Sequence, residues 1–298
     1  MCRLKSGIIL KDRIFVPEYD SHTKMLEELG IEDNYLTASK TFVRFELSPE
    51  DNDVFSSIDD WELNIDQDII PDWYDEEIYK PQIVKKVKEW AKDHIHIGID
   101  NLNIESGVNH YIKDCRNVCI GGSAAVKNIC GNTTVKNICD SARVKHIFGS
   151  ATVSYIGGCA RVDCIGGCAR VDHIGDDATV KCIGGGAMVK AVRGSAKVEN
   201  IFDIAKVENI FDSAKVKNIF DIAKVGYIGG CAKVDCIGGN ATVDHIGDNA
   251  MIIGSGFGWN NKDALIISGN ATFKDCGTKT IYQSGDWKFI NVERSNEE

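Results

Sequence analysis

Residues 196–228 read AKVENIFDI-AKVENIFDS-AKVKNIFDI-AKVGYI, and this stretch decides the fold. It is one passage of a nine-residue unit, Ala-x-Val-x-x-Ile-x-(Gly/Asp)-x, that runs about fifteen times from Ala124 to the segment after Ile252. Valine holds every ninth position from Val126 to Val243, fourteen times without exception. Isoleucine follows three residues later from Ile129 to Ile246, broken only by Val192, and alanine precedes the valine by two from Ala124 to Ala250, broken only by Thr133. A period of this length marks a repeat architecture in which each unit buries its apolar face against its neighbours.

The chemistry of the unit follows from the pleat of a strand. In Ala-x-Val-x the side chains alternate, so Ala and Val share the inward face while the second and fourth positions meet solvent. Those outward positions are Lys, Arg, Thr, Asp or Glu. Two residues between Val and Ile break the alternation, so a local bulge or corner is needed to bring Ile inward. The Gly-Gly, Gly-Asn, Asp-Ser and Gly-Asp pairs that follow supply a turn. Residues 155–177 and 227–249 agree at all but four of 23 positions, an offset of 72, which is eight units. Eight units make four two-unit coils but no whole number of three-unit coils. The expectation is therefore a mainly β chain: a β-solenoid (β-helix) with 18 residues per coil, stacked to roughly 35 Å at about 4.8 Å per strand layer.

The flanks read differently. Residues 1–98 form a small acidic α+β domain, residues 99–123 a connector and transition to the first coil, residues 124–253 the solenoid, and residues 254–298 a C-terminal cap. Residues 7–17 have hairpin character, Thr41–Leu47 and Trp61–Ile65 alternate as strands, and Asp20-Ser21 caps a short helix ending at Gly30. A longer helix is expected from about Tyr79 to His94, with Pro81 in its first turn and Ile83, Val84, Val87, Trp90 and Ala91 as an apolar stripe. Strands are expected in the cap at Ala264–Ser268 and Trp287–Val292.

Several stretches of the first hundred residues carry a resemblance. They are Ser6–Pro17 (SGIILKDRIFVP), Tyr19–Thr23 (YDSHT), Met25–Asp33 (MLEELGIED) and Asp66–Trp73 (DQDIIPDW). They resemble the N-terminal segment of a group of tandem-repeat proteins from phages, prophages and gut bacteria, in which this domain is likewise followed by a variable repeat array. The resemblance covers about a third of the chain. It implies a mobile-element origin and carries over no activity and no functional residue.

Charge is unevenly placed. The net of −10 belongs to the N-terminal part, since residues 1–115 hold 13 Lys/Arg against 25 Asp/Glu while residues 116–254 hold 16 against 13. Met1-Cys2-Arg3-Leu4-Lys5 opens no apolar stretch of signal-peptide length, and no run of 18 apolar residues offers a membrane span. Twelve cysteines in a long chain with no secretory signal are expected to be reduced thiols in a cytoplasm, that of a bacterial host as the resemblance implies, and the sequons at Asn132, Asn240 and Asn270 read as turn residues.

No cofactor or metal is expected. The unit resembles the calcium nonapeptide only superficially, because Val stands where that repeat needs an acid. Asp203, Asp212 and Asp221 fit turn capping. Cys159, Cys164, Cys168, Cys231 and Cys236 form no Cys-x-x-Cys pair, and His94 with His96 lacks a third ligand. There is no nucleophile elbow and no phosphate-cradling loop, and the outward acids Asp163, Asp172, Glu199, Glu208, Asp235 and Asp244 alternate with lysines, so an enzyme is not expected.

Candidate binding residues are consequently the outward columns. With 18 residues per coil, alternate units share a face. One face presents Lys127, Arg143, Lys145, Arg161, Lys181, Lys197, Lys215, Lys217 and Lys233 against three acids, a net of +6. Tyr155, His173, Tyr227 and His245, at the fifth position, complete the candidate set. The functional expectation is a non-enzymatic binding or scaffold protein of a phage or prophage that presents a rigid face to a host macromolecule, a protein first, and inhibits or sequesters it. Two alternatives stand beside it: nucleic-acid binding through the basic face, and a structural component that assembles through the solenoid ends.

Overall fold

In the computed structural model the described residues are 4–252, 266–275 and 280–283. The segments Gly254–Trp259 and Trp287–Val292, assigned above to the cap, lie outside them. The chain divides into two compact units: Met1–Ile97 with Val108–Tyr111, and Gly98–Gly107 with 112–298.

The first unit holds an antiparallel four-stranded sheet, order β2-β1-β3-β4, built from β1 (Lys5–Leu10), β2 (Ile14–Phe15), β3 (Phe42–Ser48) and β4 (Glu62–Ile65). Strand alternation divides its side chains between two apolar layers. Ile9, Val43, Phe45 and Leu47 pack with Ile83, Val87 and Trp90 of α3 (Glu76–His94). Ile8, Leu10 and Phe42 pack with Met25 and Leu26 of α1 (His22–Glu28). The Ser21 side chain caps α1, as its place before the helix predicts. Helix α3 begins three residues before the Tyr79 start expected from sequence. Asp75 caps it through the Glu77 amide, and Glu76 and Glu77 suit the positive end of the helix dipole. Pro81 therefore sits beyond the first turn, inside the helix. A one-turn helix, α2 (Tyr35–Ala38), closed by a capping box between Asn34 and Thr37, has no counterpart among the elements expected from sequence.

The second unit is a β-solenoid with 18 residues per coil. Thirteen consecutive five-residue strands run from Thr134–Ile138 to Thr242–Ile246. Alternate strands stack parallel and in register: Arg143 pairs with Arg161, Thr179 with Lys197, Lys215 with Lys233. The intervening strands form the second sheet in the same way, Tyr155 beside His173 and Tyr227 beside His245. Ala, Val and Ile from both sheets enter one continuous buried core. Position four is skipped in the pairing, which is the irregularity needed to return Ile to the interior. Thr133, the one departure in the alanine column, stays fully buried because its hydroxyl donates to the Cys130 carbonyl at 2.6 Å.

The turn explains the Gly/Asp rule. The alanine amide closes it on the carbonyl of position seven, as in Ala160 to Gly157 at 3.2 Å, and position eight takes a left-handed backbone. Glycine adopts that φ without strain and aspartate adopts it with a compensating bond. Coils also form before the consensus begins: Asn103–Ile104 pairs in parallel with Val118–Ile120, where no regular unit is legible. At the far end Thr272–Asp275 stacks under Met251–Ile252, and Thr280–Gln283 turns back against it in antiparallel fashion.

Candidate functional site

Register assembles the basic candidates into two columns of one sheet. At position two stand Arg143, Arg161, Thr179, Lys197, Lys215 and Lys233 on successive rungs, about 4.8 Å apart. All five cations in this column are exposed. At position four the column reads Lys145, Asp163, Lys181, Glu199, Lys217, Asp235, so its sign changes at every rung. The Lys181 ammonium reaches Asp163 at 2.7 Å, and that bond raises the Lys181 pKa. Lys190 repeats the arrangement on the other sheet with Asp172 at 2.6 Å. The fourth-position column of this first sheet thus alternates in sign along the stack and holds the Lys181–Asp163 ion pair. The second-position column does not: among the described residues no ion pair involves any of its five cations.

The aromatic candidates lie elsewhere. Tyr155, His173, Tyr227 and His245 share the fifth-position column of the opposite sheet, so the candidates form no single surface. The two tyrosines fold over glycine corners. A Cβ added at Gly157 or Gly229 would stand 2.2 Å from the ring of Tyr155 or Tyr227. The Tyr227 hydroxyl donates to Asp248 at 2.7 Å, and the Tyr155 hydroxyl to Asp176. Both phenols are held above their ordinary pKa, Tyr155 first by burial and Tyr227 first by its aspartate. His245 meets Ser268 at 2.6 Å, while His173 keeps Nδ1 buried without a hydrogen-bond partner.

The turn aspartates are occupied as well. Asp176 accepts from the Gly158 amide at 2.8 Å, Asp203 from Gly185 at 2.9 Å and Asp248 from Gly230 at 2.8 Å, each one coil back. These amides hold the Asp176 and Asp248 carboxyls below the usual carboxylate range. Cys164 and Cys182 stand on adjacent rungs, with the Cys164 thiol pushed up by burial and by its neighbour. No disulfide joins the described cysteines.

Three of the stretches that carry the sequence resemblance meet in the first unit. His22, Asp33 and Asp66 line one cleft of about 590 Å³ together with Asp20, Thr23 and Arg44. His22, Glu46 and Asp66 bring their ligand-type atoms within 4.8 Å of one another. No spacing in the sequence marks this group, because its members come from a helix start, a mid-strand position and a strand end. A larger hollow, about 910 Å³, runs beside α3 between Asp59, Glu76, Lys80, Pro81, Val84 and Lys88 and gathers no such set.

Among the described residues no helix is long and apolar enough to cross a membrane. No family model, curated protein or solved structure matches the chain.

Proposed function

We propose that the protein is a non-enzymatic binding scaffold, of phage or prophage origin, whose solenoid presents one rigid cationic column to an acidic surface of a host protein. The observation that carries this reading is the contrast between neighbouring columns. Position four alternates in sign from rung to rung, whereas position two sets Arg143, Arg161, Lys197, Lys215 and Lys233 outward on one sheet with no acid among them. A like-charged row on a rigid support is costly to the fold and useful to an oppositely charged partner. Holding the side chains on a stacked sheet also lowers the ordering cost of association.

Affinity capture from a bacterial lysate tests the reading. The full chain is expected to retain a partner that a form lacking residues 124–253 does not. Retention of every partner by the array-deleted form overturns the proposal. A second reading, nucleic-acid binding, rests on the same column. It is distinguished by affinity for DNA or RNA that falls steeply with salt, because each phosphate contact releases a counterion.

A further inference from the structure

We propose that His22, Glu46 and Asp66 in the first unit bind one divalent transition-metal ion of the zinc class, with water completing its coordination on the open side of the cleft. The alternation that builds the sheet puts Phe42, Arg44 and Glu46 of β3 on the face covered by α1, and α1 begins at His22. Asp66 follows β4 directly and is pinned there. Its amide donates to the Arg44 carbonyl at 3.0 Å, and the next side chain, Gln67, accepts from the Arg44 amide at 2.9 Å and donates to the Phe42 carbonyl at 3.1 Å. Three separate elements therefore bring one imidazole and two carboxylates within 4.8 Å of one another.

The imidazole itself points to an ion. Nε2 of His22 lies 3.1 Å from the Phe45 carbonyl oxygen, which can only accept, so Nε2 carries a hydrogen. Nδ1 faces Oδ2 of Asp66 at 3.0 Å. A cation held by both atoms would bridge the imidazole and the carboxylate at that spacing. Two ligands at about 2.1 Å from one ion stand about 3.0–3.4 Å apart, from octahedral to tetrahedral angles, and a ring N–H fixed on a backbone carbonyl is the usual orienting partner of a metal-bound histidine.

A second feature is independent of the histidine. Ser6 pairs directly across from Glu46 in the β1–β3 ladder, so both side chains leave the sheet on the same face. The Ser6 hydroxyl is fully buried and has no hydrogen-bond partner. A buried hydroxyl on the same face of the sheet as Glu46 keeps a donor and an acceptor open to a ligand or a water. The site opens through Asp66, which is 53% exposed, whereas His22 is 8% exposed. One imidazole with two carboxylates and an open position matches the donor set of zinc, manganese or iron(II) better than that of calcium, which takes oxygen ligands.

The test titrates Zn²⁺ and, separately, Mn²⁺ into the metal-depleted full chain by calorimetry, beside His22→Gln and Asp66→Asn proteins of unchanged circular dichroism. Cysteines bind zinc on their own, so the decisive quantity is the difference between the proteins, and Mn²⁺, which thiols hold poorly, serves as the cleaner probe. Expected are one Mn²⁺ per chain, one Zn²⁺ more in the parent than in either variant, and at least tenfold weaker Mn²⁺ binding in both. Equal stoichiometry in all three proteins, or no Mn²⁺ binding by the parent, overturns the proposal. If His22→Gln fails to fold, Asp66→Asn, at an exposed position, decides alone. A doubly protonated His22 in a plain ion pair with Asp66 gives the overturning result.

Discussion

The two units handle buried polarity in opposite ways. In the solenoid each column does a single job, with Ala, Val and Ile buried, position eight turning the chain, and charges kept outside. Its turn polar groups are satisfied by the coil before or after, as Asp176 and Gly158 are. The first unit instead buries single polar groups in one-off settings. Lys5 is fully buried and donates to Asp20 at 2.6 Å and to the Pro17 carbonyl at 2.7 Å. His94, His96 and His110 stack within it, His96 meeting His110 at 3.3 Å. A repeat can be lengthened without new solutions, because each rung brings the same ones. The first unit cannot, and such unrepeated buried groups are where binding chemistry is found.

Truncating the solenoid interior has the largest expected effect. Ile201→Ala leaves a cavity between coils and is expected to cost about 2–5 kcal/mol. Calorimetric melting checks this, and a loss under about 1 kcal/mol would mean that neighbouring coils collapse onto the gap. Asp176 probes the shared solution at the turn, on a smaller scale. Asp176→Ala loses the bonds from the Gly158 amide and the Tyr155 hydroxyl and keeps a left-handed backbone that alanine resists, for about 2 kcal/mol. Asp176→Gly loses the same hydrogen bonds, from the Gly158 amide and the Tyr155 hydroxyl, but not the backbone compatibility, and should cost less than Asp176→Ala in the same urea titration.

Acid should separate the units. Burial, then the neighbouring His110 and His94, lowers the His96 pKa from 6.5 to about 4. The fold therefore favours neutral His96 while the unfolded chain takes up a proton. Stability is fully present above about pH 6.5, falls as pH drops towards 4, and then levels. Asp176 and Asp248 work on the other side, because their lowered pKa contributes stability that is present above the ordinary value of 3.8 and is lost below it. Peptide-resolved hydrogen exchange at pH 5 should show the first unit opening while the array stays protected, and His96→Gln should remove most of that loss. Equal opening of both units at pH 5 would refute the assignment. The smallest effect belongs to the exposed Lys181–Asp163 pair: Lys181→Ala should leave the melting temperature where it is, since a solvated pair is screened and ordering its side chains offsets the attraction.

Legibility in the sequence follows the same division. The Val126–Val243 period and the 72-residue near-copy determine the unit, the coil and the face on which each side chain lies, because a stacked repeat has one register. The first coils are hidden, since Ile104, Val118 and Ile120 fill the core without the consensus around them. Tyr155 and Tyr227 read as available surface, and only the glycine corners of the folded chain show them lying flat against the turn. In the first unit the strands and α1 are legible from alternation and capping. The set of His22, Glu46 and Asp66 is not, since gaps of 24 and 20 residues carry no periodic mark and only the fold brings these side chains together.

If the interior folds the array and the second-position column binds, stability and affinity must respond to different residues. Partner affinity and melting temperature of the full chain carrying Arg143→Glu, Arg161→Glu, Lys197→Glu and Lys215→Glu decide this together. The control reverses Arg170, Lys206 and Lys224 on the opposite sheet. Both proteins are expected to melt within a few degrees of the parent, and only the first to lose its partner, by a hundredfold or more. Equal binding by both variants and the parent would show that the column is not the binding surface.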